Sequence, residues 1–318
     1  MSAAVRVLTL GESMGVIRGD AVGGFERLAS ASVDTGGAEG NTAVGLARLG
    51  VDVTWLGRVG DDALGRRVVG DLRSEAVDVV AVTDAAAPTG LLLKSTPRAG
   101  ATIVHYYRAG SAGSRLTPGD LDRVDIAAFG ILHVTGVTLA LSTSARATVL
   151  EAVARARTLG LLVSFAVNHR SKLWTAPEAR DAYEELLALT DILFASEDEA
   201  RLVTAAETAV PAEDLAGLLA RRGPREVLVT RGSLGCVAAI DGGVRHVAAE
   251  PITAVDTVGA GDAFAAGYLA ARAWGEPVVE RLRVATRCGA YACLHPSDWQ
   301  GAPRRADLGL AHGDAVAR

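Results

Sequence analysis

The sequence predicts an α/β fold, a doubly wound and mainly parallel sheet flanked by helices, with a small β-sheet lid. Three observations carry this expectation. From residue 124 onward, short apolar runs of strand length alternate with stretches of helical periodicity, the order that builds a parallel sheet covered on both faces. Two stretches, 13–35 and 85–110, interrupt that rhythm with paired strand-like pieces, which could fold together over the strand ends as a lid. A glycine turn at 256–261 then opens directly into an apolar helical pattern. The 318 residues, 49% apolar and 22% charged, can bury one large core, so a single domain over 1–318 is expected.

In chain order, 5–10 is a short apolar run ending at Gly11 and reads as a buried strand. The first lid insertion follows, broken by Gly19, Gly23 and Gly24. Residues 41–49 read as a helix, with apolar positions at Ala43, Val44, Leu46, Ala47 and Leu49 and Gly50 at its end. A strand is expected at 51–59 and a helix at 63–76. The second lid hairpin spans 89–95 and 101–108, with its turn at 97–100. Strands at 131–134, 161–167, 191–195 and 226–230 alternate with helices at 144–159, 177–189, 197–204 and 215–222. Residues 235–240 and 244–248 read as a hairpin around Asp241 and Gly242. Helices at 261–274 and 277–294 close the fold, and the Ala-rich tail after Pro303 reads as a surface helix or a frayed end. Residues 126–145 carry no formal charge, but His133, two glycines and several Ser and Thr residues interrupt them. A buried strand plus loop is expected there rather than a membrane span.

A net charge of −5 leaves no electrostatic footprint for nucleic acid. Cys236, Cys288 and Cys293 lack metal-binding spacing and suggest buried thiols in a reducing compartment. The stretch MSAAVRVLTLGES has neither a basic start nor a long apolar segment, so a cytoplasmic protein without a membrane partner is expected.

Chemistry concentrates in 256–264, Asp-Thr-Val-Gly-Ala-Gly-Asp-Ala-Phe. Gly259 and Gly261 allow close approach of a ligand to the backbone, and the helix start adds free N–H donors and a positive dipole end, so the place suits an anion. Asp262 can be read as a helix cap, or as an acceptor for a hydroxyl proton while the amides stabilise a transferring phosphoryl group. The nonapeptide resembles the C-terminal signature of the ribokinase-like (PfkB) carbohydrate kinases. That resemblance implies that Asp262 is the general base and that the amides of Gly259, Ala260 and Gly261 form the anion hole.

Gly36 and Gly37, followed by Ala38, Glu39, Gly40 and Asn41, form a second motif. It reads either as a loop with Asn41 as a helix cap or as a sugar site in which the Asn41 amide meets a hydroxyl. With Gly50 and Gly60 it resembles the N-terminal signature of the same family, where this loop binds the sugar. Tyr106, Tyr107 and Arg108, with Ser111 and Ala112, lie at the end of the second lid hairpin. They form either an exposed edge strand or a lid face on which Arg108 meets a carboxylate with two hydrogen bonds. Asn168, His169 and Arg170 follow a strand, at the ligand-facing edge of such a sheet. There Arg170 is either a solvated loop arginine or a binder of carboxylate or phosphate, and His169 reads as a packed or surface histidine.

Together these segments resemble the 2-keto-3-deoxygluconate kinases. The resemblance implies that Gly36, Gly37, Asn41, Tyr106, Arg108 and Arg170 grip a six-carbon keto acid, the two arginines suiting an acid better than a neutral sugar. Asp298 either reaches a sugar hydroxyl, as a late aspartate does in that group, or is a solvated surface residue. The chain departs from the pattern at Ala166, where an aspartate is usual, and at Ser196, where an asparagine is usual. Thr230, Gly232 and Gly235 form a turn into the hairpin. By resemblance they lie along the ATP phosphates and ribose together with Asn168 and Ser196, while 286–290 covers adenine. Glu199 is implied to organise the water shell of Mg²⁺, and Asp256 to lie near a monovalent cation such as K⁺.

Neither a GxxxxGK[ST] loop nor an early GxGxxG turn occurs, so nucleotide binding falls to the C-terminal turn and Mg²⁺ is expected to ride mainly on phosphates and water. The expected activity is ATP-dependent phosphorylation of a primary hydroxyl, with 2-keto-3-deoxygluconate as the acceptor. A kinase for a neutral sugar or nucleoside, such as fructose, ribose or adenosine, is the alternative, and a non-catalytic sensor on the same scaffold is a second. Exposed lid strands often pair, so a homodimer through the lid is expected.

Overall fold

In the computed structural model, which describes residues 5–98 and 101–309, strand β1 (Val7–Leu10) enters the molecule's centre and is buried along its whole length. The chain then leaves the main sheet for β2 (Met14–Val22) and β3 (Ala31–Gly36), and returns through α1 (Ala38–Arg48), β4 (Val53–Gly60), α2 (Ala63–Ser74) and β5 (Asp78–Asp84). A second excursion gives β6 (Leu91–Arg98) and β7 (Ala101–Tyr107). The remainder alternates: β8 (Ile131–Thr135), α3 (Gly136–Leu141), α4 (Thr143–Thr158), β9 (Leu162–Ala166), α5 (Ala176–Leu187), β10 (Ile192–Ser196), α6 (Glu197–Thr204), α7 (Ala212–Ala220) and β11 (Glu226–Thr230). The hairpin β12 (Cys236–Ile240) and β13 (Gly243–Val247) and the helices α8 (Ala260–Ala273) and α9 (Val278–Ala292) close it.

The main sheet has nine strands in the order β13-β12-β11-β10-β9-β8-β1-β4-β5. It is parallel from β11 to β5, and the pairs β11–β12 and β12–β13 are antiparallel. Alternation within β1 feeds two cores: Val7 packs on the face covered by α1, α8 and α9, and Leu8 and Leu10 pack on the face with Val149, Tyr183 and Leu215. The small sheet is β3-β2-β6-β7. Its inner face carries Met14, Val16 and Leu92, whereas Val22, Val33, Ile103 and Tyr107 of the same four strands are exposed.

The doubly wound sheet and the lid match the sequence expectation, with corrections at particular elements. Strand β5 was not expected. It lies at the sheet edge with only part of its length buried, so its apolar signal is diluted. Residues 136–141, expected as loop, form α3, capped by the Thr135 hydroxyl, which accepts from Val137 N at 3.1 Å. Helix α1 begins at Ala38, so Asn41 is not its cap; Gly37 is. The latter has φ 149°, and a side chain there would press on the Glu12 carbonyl oxygen at 2.3 Å, so this chain reversal needs glycine. The turn expected at 97–100 falls partly outside the described residues, as does the tail beyond the short 3₁₀ turn Arg305–Gly309. Cys236 and Cys288 are buried and Cys293 is partly so; burial pushes the first two thiols up to about 12. Among the described residues no helix is long and apolar enough to cross a membrane.

Two features fix the ligand-facing edge. The chain winds from β1 toward β4 and β5 in one direction and from β8 toward β11 in the other, so the topological switch lies between β1 and β8, where doubly wound folds form a crevice. The segment after α9 folds back beside it through Arg48, whose Nη1 donates to the carbonyls of Trp299 (3.3 Å), Gln300 (2.9 Å) and Ala302 (2.7 Å). The same guanidinium pairs with Glu75 through Nε at 2.8 Å and Nη2 at 2.9 Å.

Glu39, in the first turn of α1, is wholly buried. Its Oε1 accepts from Thr135 Oγ1 at 2.7 Å and from Thr138 Oγ1, while Oε2 has no partner. Burial pushes its carboxyl up to about 7, against the lowering effect of the two hydroxyls. Between about pH 4.5 and 7 the folded chain therefore holds a proton that the unfolded chain has released, so stability falls as pH rises through that window. Glu39→Gln is expected to melt higher than the wild type at pH 8, by up to about 3 kcal/mol of stability, with the difference gone near pH 4.5. Melting curves across that range check it; a pH-independent difference refutes it.

Candidate active site

The crevice holds a cavity of about 350 Å³. The lid supplies Met14, Gly36, Leu92, Lys94, Val104, Tyr106 and Arg108; the start of α1 and the loop after β9 supply Gly37, Asn41, Asn168 and Arg170; Gly259, Gly261, Asp262 and Asp298 close the far wall.

Asp262 is the third residue of α8, whose cap is Gly259. The cap reading of Asp262 is therefore overturned. Its carboxylate instead accepts from Asn41 Nδ2 at 2.8 Å and from Asn168 Nδ2 at 3.3 Å. Asn41 was expected on a sugar hydroxyl and Asn168 on the nucleotide; both amides meet the carboxylate. Asn168 holds this position with φ 39°, in the left-handed region tolerated by asparagine. Although its side chain reaches the cavity, Asp262 is surrounded by enough protein to raise its carboxyl above the ordinary aspartate range, an effect opposed by the Asn41 hydrogen bond and the Arg170 charge. A carboxylate with a raised pKa, fixed by two amides beside a helix N-terminus, can take a hydroxyl proton while the helix start holds an anion.

The geometry of that helix start depends on one contact. Gly259 has φ 78°, and a Cβ there would lie 1.8 Å from the Asp298 carbonyl oxygen. Asp298 itself is buried, which excludes the solvated reading, and burial pushes its carboxyl up to about 6, partly offset by Lys94.

The two arginines differ. Arg108 is buried against Glu12: Nε donates to Oε2 at 2.7 Å, Nη2 contacts the same oxygen, and Ser111 Oγ donates to Oε1. Its guanidinium also lies 5.5 Å from the Tyr106 ring centroid. The expected two-bond fork toward a ligand is thus already turned on Glu12, leaving the Nη1 corner. Arg170 donates from Nη1 to the His169 carbonyl at 3.1 Å, and among the described residues no carboxylate pairs with it. Sequence reasoning missed Glu12 and Lys94. The available signals were a polar Glu directly after a buried strand, and a lysine two residues from Leu92 on the inward face of a lid strand.

The ammonium of Lys94 sits on Asp256 Oδ2, and Asp256 Oδ1 accepts from Val258 N at 3.1 Å. The carboxylate expected near a monovalent cation therefore already carries a positive group from the chain itself. Ser196, Thr230, Gly232 and Gly235 stand together at the ends of β10 and β11 but do not line the cavity. Ser196 caps α6, its Oγ accepting from Glu199 N at 3.2 Å. Thr230 Oγ1 reaches the Ala195 carbonyl at 3.5 Å. Gly232 and Gly235 both have positive φ in the turn to β12. Residues 286–290 lie in α9, with Thr286, Cys288 and Ala290 buried, and Ala166 is core.

Glu199 accepts from Ser196 N at 2.8 Å and His169 N at 2.7 Å, so only the remaining lone pairs of its oxygens face outward. Among the described residues no three His, Cys, Asp or Glu side chains converge on a metal position. That donor set suits a metal that arrives on phosphates with most of its water and meets at most one carboxylate.

Known proteins resemble the chain over most of its length. The family model for the pfkB family carbohydrate kinases matches residues 6–304. The chain is 40% identical over 283 residues to a fructokinase of Klebsiella pneumoniae, covering 86% of this chain and 90% of that protein. It is 33% identical over 307 residues to a 2-dehydro-3-deoxygluconokinase of Bacillus subtilis strain 168, covering 95% and 93%. Its fold is similar, with TM-score 0.85 and 26% identity over 96% and 97% of the two chains, to an E. coli protein assigned as ribokinase II and solved with ATP and Mg²⁺.

Proposed function

The chain belongs to the pfkB family of carbohydrate kinases, and from that premise we propose that it transfers the γ-phosphate of ATP to the primary hydroxyl of 2-keto-3-deoxygluconate, giving the 6-phosphate. The observation that carries the acid acceptor is Arg170, a guanidinium without a carboxylate partner in the same cavity as Asp262. An unpaired cation there favours a substrate that brings its own negative charge.

In this reading Asp262 takes the hydroxyl proton, and Asn41 and Asn168 aim its carboxylate. The amides of Gly259, Ala260 and Gly261 stabilise the transferring phosphoryl group. Arg170 and the free corner of Arg108 hold the acid end with Tyr106, while Asp298 and the Gly36–Gly37 backbone meet hydroxyls. Ser196, Thr230, Gly232 and Gly235 serve the nucleotide side. Mg²⁺ neutralises phosphate charge when bound, with Glu199 touching it through water. The main sheet and lid act as one kinase domain over 1–318, the lid excluding water. The exposed Val22, Val33, Ile103 and Tyr107 support a homodimer through the lid sheet, and the three unpaired thiols support a cytoplasmic setting.

Two observations favour a neutral ketohexose instead. The Arg108 charge is already balanced by Glu12, and the fructokinase relative has the higher identity of the two. A coupled ATP-consumption assay over 2-keto-3-deoxygluconate, fructose, ribose and nucleosides separates the readings. Arg170→Ala is expected to raise KM for the acid about tenfold to a hundredfold, the worth of a charge-assisted hydrogen bond, and to leave KM for fructose within about twofold. Faster turnover of fructose, with no effect of Arg170→Ala on the acid, refutes the acid reading.

A further inference from the structure

Three carboxylates, Asp256, Asp262 and Asp298, surround the start of α8, and Asp256 and Asp262 each raise the pKa of Asp298. A polyphosphate entering that corner meets repulsion from all three. The counter-charge comes from the lid. Lys94 on β6 is 3% exposed, lines the cavity and places its ammonium on Asp256, 162 positions away in sequence. The same charge lowers the pKa of Asp298. Asp256 in turn braces the phosphate turn, accepting from Val258 N at 3.1 Å while its own N donates to the Cys293 carbonyl at 3.3 Å.

We propose that Lys94 is a positioning residue for phosphoryl transfer: a lid-borne ammonium that neutralises Asp256, so that a terminal phosphate at the amides of 259–261 meets one opposing carboxylate fewer. This rests on the reading that the 256–261 turn receives the transferring group. Lys94 thereby acts on the last phosphate of ATP and far less on ADP, and it makes the anion site complete only where the lid strand is in place. A salt bridge with a purely structural role would leave the preference between the two nucleotides unchanged.

The test measures ATP and ADP binding by calorimetry, alongside kcat and melting temperature, for the wild type and for Lys94→Met, Lys94→Arg, Asp256→Asn and the Lys94→Met/Asp256→Asn double variant. Lys94→Met is expected to lower the ratio of ATP to ADP affinity about tenfold, because an uncompensated, partly buried carboxylate then stands beside the phosphate turn. Lys94→Arg is expected to keep the ratio within about threefold, and the double variant is expected to restore most of it. Asp256→Asn alone, which keeps the lysine, is expected to hold or raise the ratio; this variant decides the matter if Lys94→Met does not fold. A wild type that binds ATP while Lys94→Met keeps its ratio overturns this inference and leaves the kinase reading standing. A fall in the ratio for Asp256→Asn overturns it as well. A wild type that binds no ATP overturns both.

Discussion

Asp262→Asn is expected to lower kcat by about two to four orders of magnitude, the usual worth of a positioned base. Affinities for sugar and ATP should change little, because the amides of 259–261 and the arginines are untouched. The substitution is nearly isosteric, but its new amide must face either Asn41 Nδ2 or Asn168 Nδ2, both donors to the native carboxylate. One of them is expected to turn away. The melting temperature should nonetheless hold, since the native carboxylate is itself disfavoured by burial. Steady-state turnover within tenfold of the wild type removes Asp262 from the mechanism.

The pH profile follows with its sign. As the proposed base, Asp262 can act only when ionised, so activity is expected to fall as pH drops through its raised pKa. Asp298, pushed up to about 6, shares the cavity and interacts with it, so the acid limb belongs to the pair. Asp298→Asn removes a neighbouring negative charge and is expected to move that limb to lower pH.

Gly259→Ala carries the second large effect. The new methyl cannot coexist with the Asp298 carbonyl oxygen, 1.8 Å from its position, and φ 78° is strained for alanine. Either the turn or the 298 segment must shift, and both line the cavity. A loss of about 10²–10³ in kcat is expected, similar to removal of an oxyanion donor, together with a lower melting temperature. Gly261→Ala is the control for stability, as no atom lies within 4 Å of its new Cβ. Its melting temperature should match the wild type, even though the methyl would stand where a phosphate is expected. Native turnover in Gly259→Ala refutes the requirement for this turn geometry.

Local signals made the scaffold legible. The buried strands at the sheet centre, the glycine turn before α8 and the return of strand-helix alternation after residue 124 each follow from patterns a few residues long. Strand β5 escaped because an edge position demands little continuous apolarity, and α3 because its six residues follow a strand without a break. In the site, Asp262, Arg170 and the 259–261 turn were visible as residue types in the right surroundings. Their partners were not. Glu12 meets Arg108 across 96 positions and Lys94 meets Asp256 across 162, pairings that only the folded sheet and lid create. The same limit hid the bond by which Asn41 meets Asp262 across 221 positions. The Asn168 bond to the same carboxylate was hidden too, since an amide that holds a neighbouring side chain cannot be told from one that binds a ligand until the distance is known.

Arg48 gives the residues after α9 a meaning that their distance from it in sequence conceals. By gathering the carbonyls of Trp299, Gln300 and Ala302 onto one guanidinium, it moors the strip that carries Asp298 and the oxygen against which Gly259 is fitted. One side chain on α1 thus works as a keystone for a wall of the cavity to which it contributes no atom of its own.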